Sequence, residues 1–282
     1  MSNFELITLR NGHRAVREKT SGEVMHPSVG PWDEANRLYV EQSKLSQRLQ
    51  SDSTDPVVLY DVGLGAAANA VAALTCARDL GSLRRRPLQV WSFENDLESL
   101  HLAMDDAEVD FPFLGHWRKE AQTLLDAGEW TDGELTWKLL QGDFIDTLAL
   151  APAASIVFYD MYSPAYDPSF WAPSTFSRLR RQCEGESKPT EGTDLYTYSA
   201  STPARVALLL AGFFVGIGDS VGTKLQTTVA STVYENLERP LGPEFLTRWE
   251  RSSAQAPHGE ALPVNLRERL FNHPQFVGML VS

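Results

Sequence analysis

Short apolar runs alternate with helical-period segments through the middle of the chain. Val57, Val58, Leu59 and Tyr60 form a strand-like run closed by Asp61. Two glycines spaced Gly63-x-Gly65 follow, then an alanine-rich helical stretch over 66–80. The same alternation recurs with a strand over 88–94 and a helix over 97–107. A strand over 135–140 precedes a short helix or turn at 144–150. The most apolar strand, 155–160, precedes a helix over 167–181. A strand over 194–199 precedes a helix over 203–211, with Thr202 as its expected N-cap and Pro203 at its first position. Apolar runs at 213–217 and 225–231 close the pattern with no helix between them. Strands that alternate with helices imply a mainly parallel sheet covered on both faces. The final pair implies one antiparallel strand at an edge. The aromatic-rich stretch 108–130 reads as a loop holding one short helix.

The flanks are weaker in pattern. Ile7 to Leu9 reads as a strand, Asn11-Gly12 as a hairpin turn, and 32–50 as one helix with Leu38, Leu45 and Leu49 on a face. From Pro240 onward two short helices are expected, near 243–251 and 264–271. The expected organisation is therefore an N-terminal hairpin and helix packing on the core (1–55), an α/β domain (56–235) and a C-terminal tail (236–282). A polar loop spans 183–193.

Composition narrows the function classes. The chain has 282 residues and a formal net charge of -12, which argues against a broad nucleic-acid-coating surface. Arg10, Arg14, Arg17 and Lys19 make the N-terminal hairpin locally basic, which reads first as a solvated face. Cys76 and Cys183, the two cysteines, supply neither a disulfide framework nor a zinc site, so a reducing cytoplasm is the expected compartment. No apolar run approaches the roughly 18 residues that span a bilayer. The six histidines lack metal-ligand spacing, so no metal is expected.

The chemistry collects at strand ends, where open α/β sheets bind ligands. The first strand ends in Asp61, Gly63 and Gly65, the second in Glu94, the third near Gly142-Asp143 and the fourth in Asp160. Four successive strand ends carry an acid. A dinucleotide would place two anionic phosphates at the glycine turn, where Asp61 is unfavourable, although alanine in place of the third glycine does not itself exclude NAD. A cationic sulfonium cofactor, S-adenosylmethionine, fits the acids better. Asp61 would orient the turn or balance the sulfonium and ammonium charges. Glu94 would accept from both ribose hydroxyls, and Asp143 from the adenine amine. Asp160, closing the strand Ile156–Tyr159, would sit between cofactor and acceptor and hold an ammonium group. Any one of these acids alone could equally be a helix cap. Trp117, Trp130, Trp137 and Trp171 read mainly as core or rim, with Phe170 and Trp171 the best stacking candidates.

These residues resemble a known family, the methyltransferase component of MnmC-type tRNA modification enzymes in its stand-alone form. The resemblance covers roughly residues 5–230. It rests on Gly22-Glu23-Val24-Met25-His26-Pro27, on Asp61, Gly63, Gly65 and Asn69, on Glu94 and on Gly142-Asp143. Its most specific block is Asp160, Pro164, Asp167, Pro168 and Trp171, and Thr197-Tyr198-Ser199-Ala200, Arg205 and Gly222-x-Lys224 continue it. The resemblance implies a Rossmann-like S-adenosylmethionine-dependent methyltransferase with a mostly parallel sheet and one antiparallel edge strand; the N-terminal segment precedes it, and the tail after residue 235 is not a general feature of the family. The resemblance also implies methylation of the aminomethyl group of 5-aminomethyl(-2-thio)uridine at the tRNA wobble position, with the anticodon region as partner. Asp160 would be catalytic. Asp61, Gly63, Gly65, Asn69, Glu94 and Asp143 would hold the cofactor, and His26, Tyr162, Pro164, Trp171 and Lys224 the acceptor. The segment Lys224-Leu225-Gln226-Thr227 and the 183–193 loop depart from the family pattern. They leave open a small-molecule or protein amine as acceptor.

Overall fold

The computed structural model describes residues 3–9, 12–25, 30–105, 111–185, 189–220, 225–261 and 263–277. Ten strands are described. β1 (Phe4–Thr8) and β2 (Arg14–Glu18) form a separate antiparallel hairpin. The remaining eight build one sheet: β3 (Val57–Val62), β4 (Leu88–Glu94), β5 (Glu129–Asp132), β6 (Leu135–Gln141), β7 (Ile156–Tyr159), β8 (Asp194–Thr197), β9 (Phe214–Gly218) and β10 (Thr227–Ser231). Their order across the sheet is β5-β6-β4-β3-β7-β8-β10-β9. Strands β6, β4, β3, β7 and β8 are parallel neighbours, as the alternation requires.

The antiparallel strand sits one place in from the expected edge. β10 is inserted between β8 and β9, antiparallel to both, and β9 forms the edge. A second antiparallel strand, β5, forms the opposite edge. Its sequence, Glu129-Trp130-Thr131-Asp132, has one apolar side chain and is largely exposed, so hydrophobic periodicity carries no trace of it. It hairpins into β6 through Gly133 at φ 59°.

The two faces of the sheet carry two cores. Along β3, Val57 and Leu59 enter one and Val58, Tyr60 and Val62 the other. β7 divides likewise, Ile156 and Phe158 against Val157 and Tyr159. The alanine-rich helix Ala68–Asp79 lies on the first face, where small side chains permit close approach. Phe4 and Val16 dock the hairpin there too. The helices Pro173–Cys183 and Thr202–Leu210 cover the second face. The second of these is capped by Ser201, whose hydroxyl accepts from Ala204 N–H, and not by Thr202, which is its first residue. Between 111 and 127 there are two helices, Pro112–Gly115 and Arg118–Ala127, where one was expected.

The expected helix over 32–50 is interrupted. It opens as α-helix at Pro31–Glu34, widens to a π-helix over Ala35–Glu41, breaks at Lys44 in the left-handed region, and resumes over Leu45–Leu49. Such widened turns concentrate at functional sites, and this one buries Tyr39 beside the strand ends. The C-terminal region is part of the second core. Phe245, Leu246 and Trp249 of helix Pro243–Glu250, with Leu266, Leu270 and Phe276, are all buried in it.

Candidate active site

The parallel register aligns the strand ends. Val62 pairs with Phe93 on one side and Tyr159 on the other, and Glu94 pairs with Gln141. The next residues, Gly63, Gly142 and Asp160, therefore emerge side by side. Together with the hairpin extension at 21–25 they enclose a cleft of about 870 Å³. Gly63 has φ 91°, and a Cβ there would lie 2.6 Å from the Asp160 carbonyl oxygen. Only glycine meets both demands.

Glu94 ties the glycine turn to β4. Its carboxylate accepts from Gly65 N–H at 3.0 Å and from the N–H groups of Asn95 and Asp96 at 2.9 and 3.1 Å. Burial nevertheless holds its pKa above the ordinary carboxylate value, outweighing those three bonds. Asp160 is held by Asn69, whose amide donates to Asp160 Oδ2 at 2.8 Å. Tyr39, fully buried, keeps its proton well above the usual phenol range, through burial first and the Asp160 charge second. Tyr198 is pushed up the same way and donates to the Met161 carbonyl at 3.0 Å.

Six carboxylates line the cleft: Glu23, Glu34, Glu94, Asp96, Asp160 and Asp167. No lysine, arginine or histidine lines it among the described residues. Such a wall favours a cationic ligand and opposes a pyrophosphate. The residues therefore fit S-adenosylmethionine. Gly63 and Gly65 would give it close backbone approach, Glu94 an acceptor for its hydroxyls, and the acidic wall a counter-charge.

Several expected site residues lie elsewhere. Asp61 is 0% exposed and does not line the cleft; it accepts from Ser92 Oγ at 2.8 Å, which accepts from Trp137 Nε1 at 2.9 Å. This relay ties β3, β4 and β6 together beneath the turn. Asn69 also stays out of the cleft lining and reaches it only through Asp160. Asp143 is an exposed N-cap, accepting from Ile145 N–H at 2.8 Å, while its neighbours Gly142 and Phe144 line the cleft. Trp171 is 0% exposed. Its indole donates to the Tyr162 carbonyl at 2.8 Å and packs on Tyr159 and Tyr198, so it anchors the loop from inside and offers no stacking face. Phe170 and Tyr162 line the cleft. Pro164 shapes the turn between Ser163 and Tyr166 behind that lining. His26 and Lys224 lie outside the described residues.

Residues not singled out beforehand also contribute. Glu23 accepts from both Ser163 N–H, at 2.7 Å, and Ser163 Oγ, at 3.1 Å, and so clamps the hairpin extension to the Asp160 loop. Its signal was the Gly22–Met25 stretch itself. Glu34 and Asp96 complete the acidic wall, and the aromatic Tyr166 stands at its mouth. No group of three or more potential metal ligands occurs among the described residues. No described helix is long and apolar enough to cross a membrane.

Over residues 108–233 the chain matches the model of a family described as S-adenosyl-L-methionine-dependent methyltransferase. It is 34% identical over 128 residues to the tRNA 5-methylaminomethyl-2-thiouridine biosynthesis bifunctional protein MnmC of Ralstonia nicotianae, covering 44% of this chain and 17% of that one. It is 25% identical over 263 residues to the protein of the same name from Burkholderia vietnamiensis, covering 88% and 36% respectively. The chain thus spans well under two thirds of the length of these relatives. The crystal structure of MnmC2 from Aquifex aeolicus has the same fold, with a TM-score of 0.71 at 24% identity over 96% of this chain and 85% of that one.

Proposed function

We propose that this MnmC-like S-adenosylmethionine-dependent methyltransferase methylates the primary amine of 5-aminomethyl(-2-thio)uridine at the wobble position of tRNA. The observation that carries the reading is the cleft wall, six carboxylates without a cation among the described residues, with Asp160 fixed by Asn69 at the end of β7. An amine acceptor arrives protonated. The acidic wall attracts it, and the Asp160 carboxylate accepts its hydrogen bond and assists loss of its proton, which frees the nitrogen lone pair. Bound S-adenosylmethionine supplies a methyl group already activated by its sulfonium charge. The remaining work of the chain is alignment. Gly63 brings the β3 turn against the Asp160 carbonyl, so donor and acceptor sides share one rigid edge.

Glu94 would take the ribose hydroxyls, and the adenine would lie by Gly142 and Phe144, the neighbours of Asp143 that line the cleft. The anticodon region of tRNA would be the partner and the cytoplasm the working compartment. The names of the relatives support this acceptor. The test is the wobble-nucleoside profile of a deletion strain. Loss of 5-methylaminomethyluridine with accumulation of the 5-aminomethyl form is expected. An unchanged profile would leave a small-molecule or protein amine as the acceptor.

A further inference from the structure

The cleft mouth poses a recognition problem. A nucleic-acid acceptor ordinarily gains affinity from phosphate pairing with Lys and Arg. The cleft lining has none among the described residues, and its six acids repel a polyanion. Among the described lining residues, aromatic surface is the other source of affinity for a base. Tyr166 is 46% exposed, one of the few large exposed side chains with aromatic or apolar surface, and it lines the cleft. Its ring lies against Tyr162 with centroids 4.7 Å apart and planes tilted by 38°. Tyr162 in turn lines the cleft two residues beyond Asp160.

The pair is held rigidly. The Ser163 carbonyl accepts from Tyr166 N–H at 2.9 Å and from Asp167 N–H at 3.2 Å, closing a tight turn. Glu23 grips Ser163 from the hairpin side, and the buried Trp171 indole holds the Tyr162 carbonyl from below. A rigid aromatic face loses little entropy on binding a flat ring. Burial, and after it the charges of Glu18 and Glu23, keep the Tyr166 hydroxyl protonated and the ring uncharged.

We infer that Tyr166, backed by Tyr162, is a stacking ledge for the planar ring of the acceptor. It sets specificity for an amine carried on a flat heterocycle over an aliphatic amine. The inference rests on the proposed function, because it takes the acceptor ring to be the wobble pyrimidine. With the ring on the ledge, its aminomethyl arm points down the cleft wall towards Asp160.

The test is equilibrium binding of an anticodon stem–loop carrying 5-aminomethyluridine, with S-adenosylhomocysteine saturating, compared with the same loop made abasic at the wobble position. Wild type, Tyr166→Ala and Tyr166→Phe are measured at several salt concentrations, alongside single-turnover methyl transfer. Base–aromatic stacking predicts that Tyr166→Ala weakens the modified loop about tenfold. It leaves the abasic loop unchanged and keeps the salt slope of wild type, and Tyr166→Phe restores the affinity. An equal loss on both loops, a loss under about twofold, or no binding by wild type overturns the ledge. Binding that follows the expected pattern without methyl transfer overturns the proposed function and leaves the ledge standing. Because the side chain is half-exposed, an unchanged unfolding midpoint checks that Tyr166→Ala is folded.

Discussion

At the scale of single residues, the site depends on positions that never touch the cleft. Asn69 is the clearest. It sits in the first turn of helix Ala68–Asp79, is 3% exposed, and its amide donates to Asp160. The spacing Asp61, Gly63, Gly65, Asn69 marks it in the sequence, but as part of the cofactor turn. In the structure its amide meets Asp160 instead, the residue proposed to face the acceptor. A hydrogen bond to a charged group contributes about 1.5–3 kcal/mol, or roughly 10- to 150-fold in an equilibrium or rate. Asn69→Ala is therefore expected to lower kcat/KM for the acceptor by that factor, while the cofactor dissociation constant moves less than about threefold. Calorimetry with S-adenosylmethionine and steady-state kinetics separate the two. A parallel loss of cofactor affinity would return Asn69 to the cofactor site. Asp61 shows the same displacement. An acid before a glycine turn looks like a ligand contact, yet strand periodicity alone turns its side chain into the sheet face beside Ser92.

At the scale of elements, the Asp160–Trp171 loop is built from contacts on three sides, and its clamp is testable. Glu23 is the sole link described here between the hairpin extension and Ser163, through two hydrogen bonds to one carboxylate. Glu23→Ala removes both. The expected outcome is about a tenfold loss of amide-exchange protection at Ser163 and Tyr166, with a raised acceptor KM. Protection equal to wild type would mean that Trp171 and Tyr198 hold the loop unaided. β3 and β7 were legible because each is a largely apolar run buried on both faces, and β4 covers the residues expected for it, 88–94. The edges were not legible. β5 is polar, and the placement of β10 between β8 and β9 is decided by pairing partners, which periodicity does not encode. The π-widened turns at Ala35–Glu41 were hidden for a related reason. A locally changed period still presents Leu38 and Leu45 at helical spacing. Of the four acids expected at the strand ends, Glu94 and Asp160 line the cleft, whereas Asp61 turns into the sheet and Asp143 caps a helix. Among the acids from loops, Glu23 was marked by the Gly22–Met25 stretch, but its place in the cleft and that of Asp96 became visible only once the chain was folded.

At the scale of the whole molecule, the second core is closed by the last described residues. Gln275 is 2% exposed; its amide accepts from Val215 N–H at 2.7 Å and donates to the carbonyls of Val215 and Leu241 at 2.8 Å each, stitching the C-terminal region onto β9. Beside it, His273 packs between Phe214 and Phe276, and its Nδ1 accepts from Gln275 N–H at 3.2 Å. Burial, and after it the charge of Arg180, lower the His273 pKa from 6.5 to about 4. An unfolded chain binds this proton near the ordinary value and the folded protein resists it until about pH 4. Between those limits the unfolded state carries more protons, so stability is fully present above about pH 6.5 and falls as the pH drops towards 4. A single group of this kind changes the folding equilibrium by at most about tenfold per pH unit. Carboxylates titrate in the same range, so the informative quantity is the difference between two proteins. His273→Asn retains an acceptor for Gln275 N–H and removes the titration. Urea midpoints measured from pH 7.5 to 4.5 are expected to converge, with wild type losing stability faster than the variant on the acid side. Parallel curves would show that the imidazole escapes its pocket without cost, and that closure of the second core rests on Gln275 and the apolar contacts alone.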